Sequence, residues 1–382
     1  MSTLKFSLFL LSISTLFLLN CTQTKSSKDL NTDRIIVDVF GRKIIIADTI
    51  NKVITMRSGA VRMMAYMGLI DKVGYIEGND LKRIVPYIMA YPELKELPVI
   101  GIGNNYDPEA IAASSASMIV ATNITAEEAD ALQVKVGKPV FCIKNGDLDS
   151  YKLDFYDSLK SLGEAFNKSS RADSIINFIE ININEIKSYV PKDKKTNTTV
   201  YVGGIAYNGV QGITSTRTIY PPFTYLNVFA PADTLTQNLD SMGIGQKNLM
   251  IDTEQIIDWD VDYLFLDVAG QPLWNLELSK TYFNNLKSKK NGNIYTVLPF
   301  NWNSVNYENI LCNMWFVGKT VYPTSFESTH LTHKNREIIN FFYGRDIYDQ
   351  VMDTRIYTNN NNGNEIPNIL YKPYEKVTIN VR

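Results

Sequence analysis

One stretch constrains the architecture more than any other. From Ser169 to Val190, the residues Ile175, Ile179, Ile183, Ile186 and Val190 recur at spacings of four, four, three and four. No Gly or Pro interrupts the run, and Pro191 closes it. That is the period of an amphipathic helix. At 1.5 Å per residue it spans roughly 33 Å. It sits near the middle of a 382-residue chain, with strand–helix alternation on both sides. An ordinary covering helix would also show this period. Length and central position fit a connector between two lobes better.

Ahead of that helix, Ile35-Ile36-Val37-Asp38-Val39 and Lys43-Ile44-Ile45-Ile46 flank Phe40-Gly41-Arg42 and read as a β-hairpin. Apolar runs then alternate with helical stretches. Val53–Met56 leads into Gly59–Gly68, Met118–Ala121 into Ala126–Val134, and Val140–Ile143 into Leu153–Phe166. After the long helix, strands are expected at Thr199–Gly203, Tyr263–Asp267 and Ile294–Leu298. Helices are expected at Pro222–Phe229, Thr253–Trp259, Tyr307–Gly318 and Glu327–Phe342. Such alternation predicts a mostly parallel α/β sheet covered on both faces. The lobes then fall at 34–167 and 193–354, joined by the helix at 168–192. A tail over 355–382 carries Asn359–Asn362. Leu370–Tyr371 and Val377–Val381 read either as added strands or as poorly ordered chain.

Residues 1–20 have a basic Lys5 and an almost wholly apolar or small run from Phe6 to Leu19. The run is short for a membrane span and stops at Cys21. Leu18-Leu19-Asn20-Cys21 resembles a bacterial lipobox, in which the cysteine is acylated after cleavage. A plain secretory signal or an N-terminal anchor helix is the alternative. The polar stretch over 21–33 suits a flexible tether. The reading is a protein of the bacterial cell envelope, held to the bilayer through Cys21 on a periplasmic or other extracytoplasmic face. Cys142 and Cys312 lie in apolar surroundings and are expected to be free and buried.

Composition removes several function classes. Lys and Arg total 38 against 40 Asp and Glu, so no basic excess argues for nucleic acid. With 2 His and 3 Cys, zinc fingers and ribbons lack ligands, and a catalytic histidine is nearly unavailable. G-x-S-x-G, P-loop and H-E-x-x-H motifs are absent, and Gly101-Ile102-Gly103 lacks the third glycine of a dinucleotide site. The chain therefore reads as a non-enzyme. Carboxylate-only chemistry remains open among 40 acids, so a surface glycan-binding or glycan-cleaving lipoprotein is the alternative.

The two halves echo each other. DPEAIAASSASMIVAT begins at Asp107 and DTEQIIDWDVDYLFLD at Asp252. In each, Asp can cap a helix, Glu follows two residues later, and an apolar strand begins about ten residues on. A duplicated lobe plan would place one cleft between two similar halves.

From about Ile35 to Tyr348 the chain resembles the substrate-binding proteins of ABC importers for iron chelates, haem and corrinoids, the helix-hinged periplasmic binding class. The likeness is carried by VDVFGRKIII, VITMRSGAVRMMAYMGLIDKVGYIEG, LPVIGIGNNYDPEAI, YVGGIAYNGVQGITSTRTIYPPF, DTEQIIDWDVDYLFLD and NIYTVLPFNWNSVNYENI, in this order. The resemblance implies two Rossmann-like lobes joined by one long helix, with the ligand between them. It implies a monomer that serves an ABC permease dimer and its ATPase. It also implies that one glutamate per lobe docks into a basic pocket of the permease; by position in the motif these are Glu109 and Glu254.

A cleft ligand should meet the loops at the carboxyl ends of the strands. Those loops hold Arg57, Ser58, Arg62, Glu77, Asn104, Asn105 and Tyr106 in the first lobe, and Tyr207, Asn208, Arg217, Asp267 and Asn301–Asn303 in the second. Arg57 and Arg217 offer planar donor forks for a carboxylate or another anionic chelate group. Tyr207, Tyr220 and Trp302 offer aromatic faces for a flat ligand, and Ser58, Arg62 and Tyr106 complete the expected ligand-binding set. His330 and His333 read as a surface helix start rather than a metal pair. No intrinsic cofactor or protein-held metal is expected. The expected cargo is a preformed metal complex: a siderophore or related iron chelate, haem or a corrinoid.

Overall fold

The computed structural model describes residues 33–103, 105–192, 197–238, 248–353 and 371–378. Cys21, the leader, the tether, Asn104 and most of the tail lie outside the described residues.

The chain opens with a hairpin of β1 (Arg34–Val37) and β2 (Lys43–Ile46). The first lobe is a four-stranded parallel sheet of β3 (Val53–Met56), β4 (Val73–Tyr75), β7 (Met118–Ala121) and β8 (Val140–Cys142), in the order β4-β3-β7-β8. A small hairpin of β5 (Gly101–Ile102) and β6 (Asn105–Tyr106) stands at its rim. Every residue of β3, β7 and β8 is buried, which is why these strands read as unbroken apolar runs rather than alternating ones. The covering helices are α1 (Ala60–Tyr66), α2 (Pro86–Ala90), α3 (Pro108–Ala113), α4 (Ala126–Val136) and α5 (Lys152–Ala165). A capping box closes the start of α4. Thr125 Oγ1 accepts from the Glu128 amide, and the Glu128 carboxylate accepts from the Thr125 amide.

The linking helix α6 runs Ser169–Tyr189 and buries Ala172, Ile175, Ile179, Ile183 and Ile186, the face its period marks out. Val190 ends it in an extended conformation ahead of Pro191. The second lobe holds the parallel sheet β13-β12-β9, made of β9 (Val200–Gly203), β12 (Tyr263–Asp267) and β13 (Ile294–Val297). An antiparallel pair, β10 (Ser215–Arg217) and β11 (Asn248–Met250), lies beside it. Its helices are α7 (Pro221–Thr224), α8 (Thr253–Trp259), α9 (Gln271–Leu278), α10 (Lys287–Lys290), α11 (Tyr307–Val321), α12 (Leu331–Tyr343) and α13 (Tyr348–Val351).

Three local readings change. The helix expected at Pro222–Phe229 is a single turn, because Asn227 takes a left-handed φ of 51°. The last long helix starts at Leu331 rather than Glu327, with His330 as its N-cap residue. Of the echoed Asp pair, Asp107 accepts from the Glu109 and Ala110 amides at 3.0 Å, whereas Asp252 sits at the N-cap position without a side-chain capping bond. Part of the tail is built in: Val377 donates to the Ile294 carbonyl (2.9 Å) and Thr296 to that of Glu375 (3.0 Å), so 371–378 covers the edge of β13.

The lobes share their core. One continuous apolar cluster includes Met63 and Tyr66 of α1, Leu159 of α5, Ile179 and Ile183 of α6, Trp315 of α11 and Phe342 of α12. The Arg171 guanidinium ties the start of α6 to both sides, donating to the Tyr66 carbonyl (2.8 Å) and the Phe341 carbonyl (2.7 Å). Cys142 and Cys312 are free and buried; burial pushes the Cys142 thiol up to about 12.

Candidate functional site

Loops that follow β8 and β13 meet residues of the opposite lobe through hydrogen bonds. Several residues of the strand-end loops take left-handed backbone. Arg57 (φ 65°), Asn123 (49°), Asn208 (51°), Ile219 (49°), Asn303 (56°) and Ser304 (76°) all lie in the left-handed region, although none is glycine. For β-branched Ile219 this is a clear outlier. Such strain is held only where surrounding contacts over-determine it, and it gathers at binding edges.

These contacts form a polar seam between lobes. Arg62, on α1 of the first lobe, reaches the loop after β13 in the second. Its Nη1 donates to the carbonyls of Asn303 and Val305 (2.9 Å each). Its Nη2 donates to the Trp302 carbonyl (3.0 Å) and to Asn306 Oδ1 (2.8 Å). Asn303 Nδ2 crosses back to Asp80 Oδ1 (2.7 Å) and the Tyr87 hydroxyl (2.6 Å). Burial pushes the Asp80 carboxyl up to about 7. Further along, Arg217 Nη2 meets Asp147 Oδ2 at 2.8 Å, with the guanidinium 4.7 Å from the centre of the Phe300 ring. Both side chains are buried. Tyr225 donates to the Leu148 carbonyl (2.6 Å), and the Gly146 amide donates to the Tyr307 hydroxyl (3.1 Å). Asp267 accepts from the Ala269 and Phe300 amides (2.8 Å each), and burial pushes its carboxyl up to about 8.

The rim is more open. Glu77 is buried, yet its carboxylate accepts from the amides of Arg57 and Gly103 and from Asn79 Nδ2 (2.8 Å). One side chain thus ties the loop after β3 to the β5–β6 hairpin. The Ser58 carbonyl collects donors from Thr122 Oγ1 (2.9 Å), Asn123 Nδ2 (3.1 Å) and Asn145 Nδ2 (3.2 Å). Gly59 has φ 104°, and a Cβ there would run into Asn145 Oδ1 and Ser304 Oγ. Glycine is what lets the lobes close at that point.

The candidates read from sequence therefore separate into two groups. Arg57, Ser58 and Tyr106 are half-buried at the rim, and Tyr207 is 41% exposed. Arg57 and Tyr106 share a groove of about 310 Å³ with Met56, Ile124, Leu132 and Lys135, where Arg57 pairs with Glu128 at 3.2 Å. Arg62, Arg217, Tyr220 and Trp302 lie instead inside the seam, with at most 4% of their surface open. Tyr220 accepts from Asn313 Nδ2 (3.2 Å), and the Trp302 indole donates to the Ile84 carbonyl (3.3 Å). That placement departs from the expectation of ligand arms: the seam buries all four, and the Arg62 Nη atoms, Arg217 Nη2 and the Trp302 indole donate within it. Glu109 and Glu254 are exposed in the first turns of α3 and α8. His330 and His333 are exposed at the start of α12, away from the strand ends.

Several site residues escaped sequence reasoning. Asp80, Asn145 and Asp147 had no motif to mark them. Arg83 had none either, and its guanidinium lies 4.7 Å from the centre of the Trp302 ring.

A family model described as Periplasmic binding protein matches residues 84–298, more than half of the chain. The chain belongs to the periplasmic binding protein family. Proteins of this family are substrate-binding components of ABC transporters rather than enzymes, and they work outside the cytoplasm. No curated protein matches the sequence significantly. Solved structures agree on the fold. A periplasmic solute binding protein from Veillonella parvula is 16% identical, with a TM-score of 0.65 over 87% of this chain and 99% of that one. The molybdate-bound MolA of Haemophilus influenzae is 16% identical, with a TM-score of 0.64 over 82% and 99%. The petrobactin-binding protein YclQ of Bacillus subtilis is 15% identical, with a TM-score of 0.52 over 81% and 98%. No helix of this periplasmic binding protein, among its described residues, is long and apolar enough to cross a membrane.

Proposed function

We propose that this periplasmic binding protein captures an anionic metal complex at the rim of the interlobe cleft and delivers it to an ABC permease dimer. The complex is an iron chelate of the siderophore kind, haem or a corrinoid. The observation that carries this reading is the donor-rich rim. Arg57, Ser58, Asn123, Asn145 and Tyr207 keep exposed surface where both sheets end, while the seam beneath is closed. Guanidinium, hydroxyl and amide donors suit the outer oxygens of a complex that brings its own metal ligands. Haem would use the aromatic faces of Tyr106 and Tyr207. Glu109 and Glu254, one on each lobe, are the docking residues, and their charges match basic pockets on a two-fold permease. Cys21 carries the lipid anchor, which holds a monomer at the extracytoplasmic face of the membrane.

The test is a titration of tryptophan fluorescence with ferric siderophores, haem, cobalamin and molybdate. One-to-one saturation by a ferric siderophore, haem or cobalamin is expected, weakened by Arg57→Ala or Tyr207→Ala; saturation by molybdate alone would refute the metal-complex reading. Saturation by an oligosaccharide and by none of the panel would instead make this a glycan-binding protein.

A further inference from the structure

The opening hairpin is apolar on both faces. Ile36, Ile44 and Ile46 point into the core and are at most 3% exposed. Ile35, Val37 and Ile45 point outward and are 63%, 43% and 61% exposed. Ile35 lies directly opposite Ile45 in the register, and Val37 opposite Lys43, so the outer residues form one ridge. An ordinary half-buried hairpin alternates apolar with polar, and slipping the register by one residue would only exchange the two apolar faces. A contiguous exposed apolar face on a binding protein marks a contact surface.

The position of the ridge in the chain indicates what it contacts. Twelve residues separate the start of the hairpin from Cys21. Fully extended, such a segment reaches at most about 40 Å. If Cys21 is acylated, the hairpin is the described element tethered closest to the bilayer. Charge is consistent with this. Lys43 stands exposed on the ridge and Lys144 lies 5.4 Å from the centre of the Phe40 ring at the turn, while Asp33 sits at the opposite end. Basic residues around an apolar ridge suit anionic headgroups. A second copy is a poorer occupant. Three half-exposed aliphatic side chains offer on the order of 300 Å², against about 800 Å² per partner in a standard interface.

We propose that the outer face of the hairpin, Ile35, Val37 and Ile45, rests on the lipid bilayer and orients the anchored protein there. The reading rests on the anchor at Cys21, and the test separates the two. Mature chain carrying Cys21→Ser is floated with vesicles of phosphatidylethanolamine and phosphatidylglycerol. Measurable flotation is expected, falling at least fivefold in Ile35→Ser with Ile45→Ser and similarly in Val37→Asp, while thermal melts stay unchanged. No flotation of the Cys21→Ser chain, or equal flotation of the variants, would overturn the proposal. So would a dimer in sedimentation that the double variant dissolves. Mass spectrometry of cell-purified protein tests acylation separately: an unmodified Cys21 removes the anchor, while flotation still decides the hairpin.

Discussion

Replacing Arg217 with Met tests whether the seam is structural or ligand-facing. The substitution keeps an unbranched side chain against Phe300 but removes the charge that meets Asp147 at 2.8 Å. Burial already lowers the Arg217 pKa, with Asp147 opposing that shift. Asp147 stays buried, its Oδ1 still accepting from the Asp149 and Tyr151 amides (2.9 and 2.8 Å), but Oδ2 loses its arginine. Breaking a buried pair from one side costs about 3–5 kcal/mol. Unfolding entropy for a protein of this size is on the order of 0.7 kcal/mol per kelvin, so Tm should fall by roughly 4–7 °C. Adding Asp147→Leu should recover most of that loss, because an apolar pair of similar volume substitutes well for a buried ion pair. Circular dichroism melts of the two single variants and the double complete the cycle. Ligand titration is run on the same proteins. A seam role predicts that Tm and affinity recover together in the double variant. A single variant within about 0.5 kcal/mol of the parent, with affinity lost and not restored by Asp147→Leu, would refute the structural reading and return Arg217 to the ligand.

Other outcomes follow from the same geometry. The folded-state pKa of Asp80 is raised to about 7 by burial, with Glu77, Tyr87 and Arg62 as charged or titratable neighbours. An unfolded aspartate titrates near 3.9, so the stabilising contribution is full below about pH 4 and is lost as pH rises towards 7. Melts of the parent should therefore fall more steeply than those of Asp80→Asn across that window; parallel curves would exclude Asp80 as the titrating group. Glu77→Ala unties the Arg57 loop from the β5–β6 hairpin and should weaken ligand binding about tenfold, with faster amide exchange over 101–106. Gly59→Ala meets both a left-handed φ of 104° and the Asn145 side chain, and should lower stability by about 2 kcal/mol or more in denaturant melts. Glu109→Ala with Glu254→Ala should leave binding intact and abolish uptake by whole cells; lost binding would move these residues from docking to the ligand.

The parts legible in sequence were those governed by periodicity. The apolar runs at Val53–Met56 and Met118–Ala121 became fully buried parallel strands, and the isoleucine spacing from Ile175 to Ile186 became the buried face of α6. The seam was not legible. Position after a strand placed Arg62 and Trp302 near the carboxyl edges of the sheets, whereas Arg217, expected in such a loop, closes the antiparallel strand β10. Nothing in a linear pattern says whether an arginine at that edge faces a ligand or carbonyls of the other lobe some 240 residues away, as Arg62 does. The same limit applies to Asp80 and Asn303, which acquire a role only when the loop after β13 folds back on the first lobe.

That folding back also restricts how this binding protein can move. Glu308, at the start of α11, accepts from Tyr66 of the first lobe and from Tyr343 of α12 (2.9 Å), and Tyr66 packs on Phe342 with ring centres 4.6 Å apart. Opening the cleft as a wide hinge would have to expose these rings, break the Arg62 clamp on three carbonyls and hydrate the Asp147–Arg217 pair together. Each loss is a buried group deprived of its partner, and the costs fall on one contiguous cluster rather than on separable contacts. On the proposed rim site, exchange would take place where Glu77 ties the Arg57 loop to the β5–β6 hairpin.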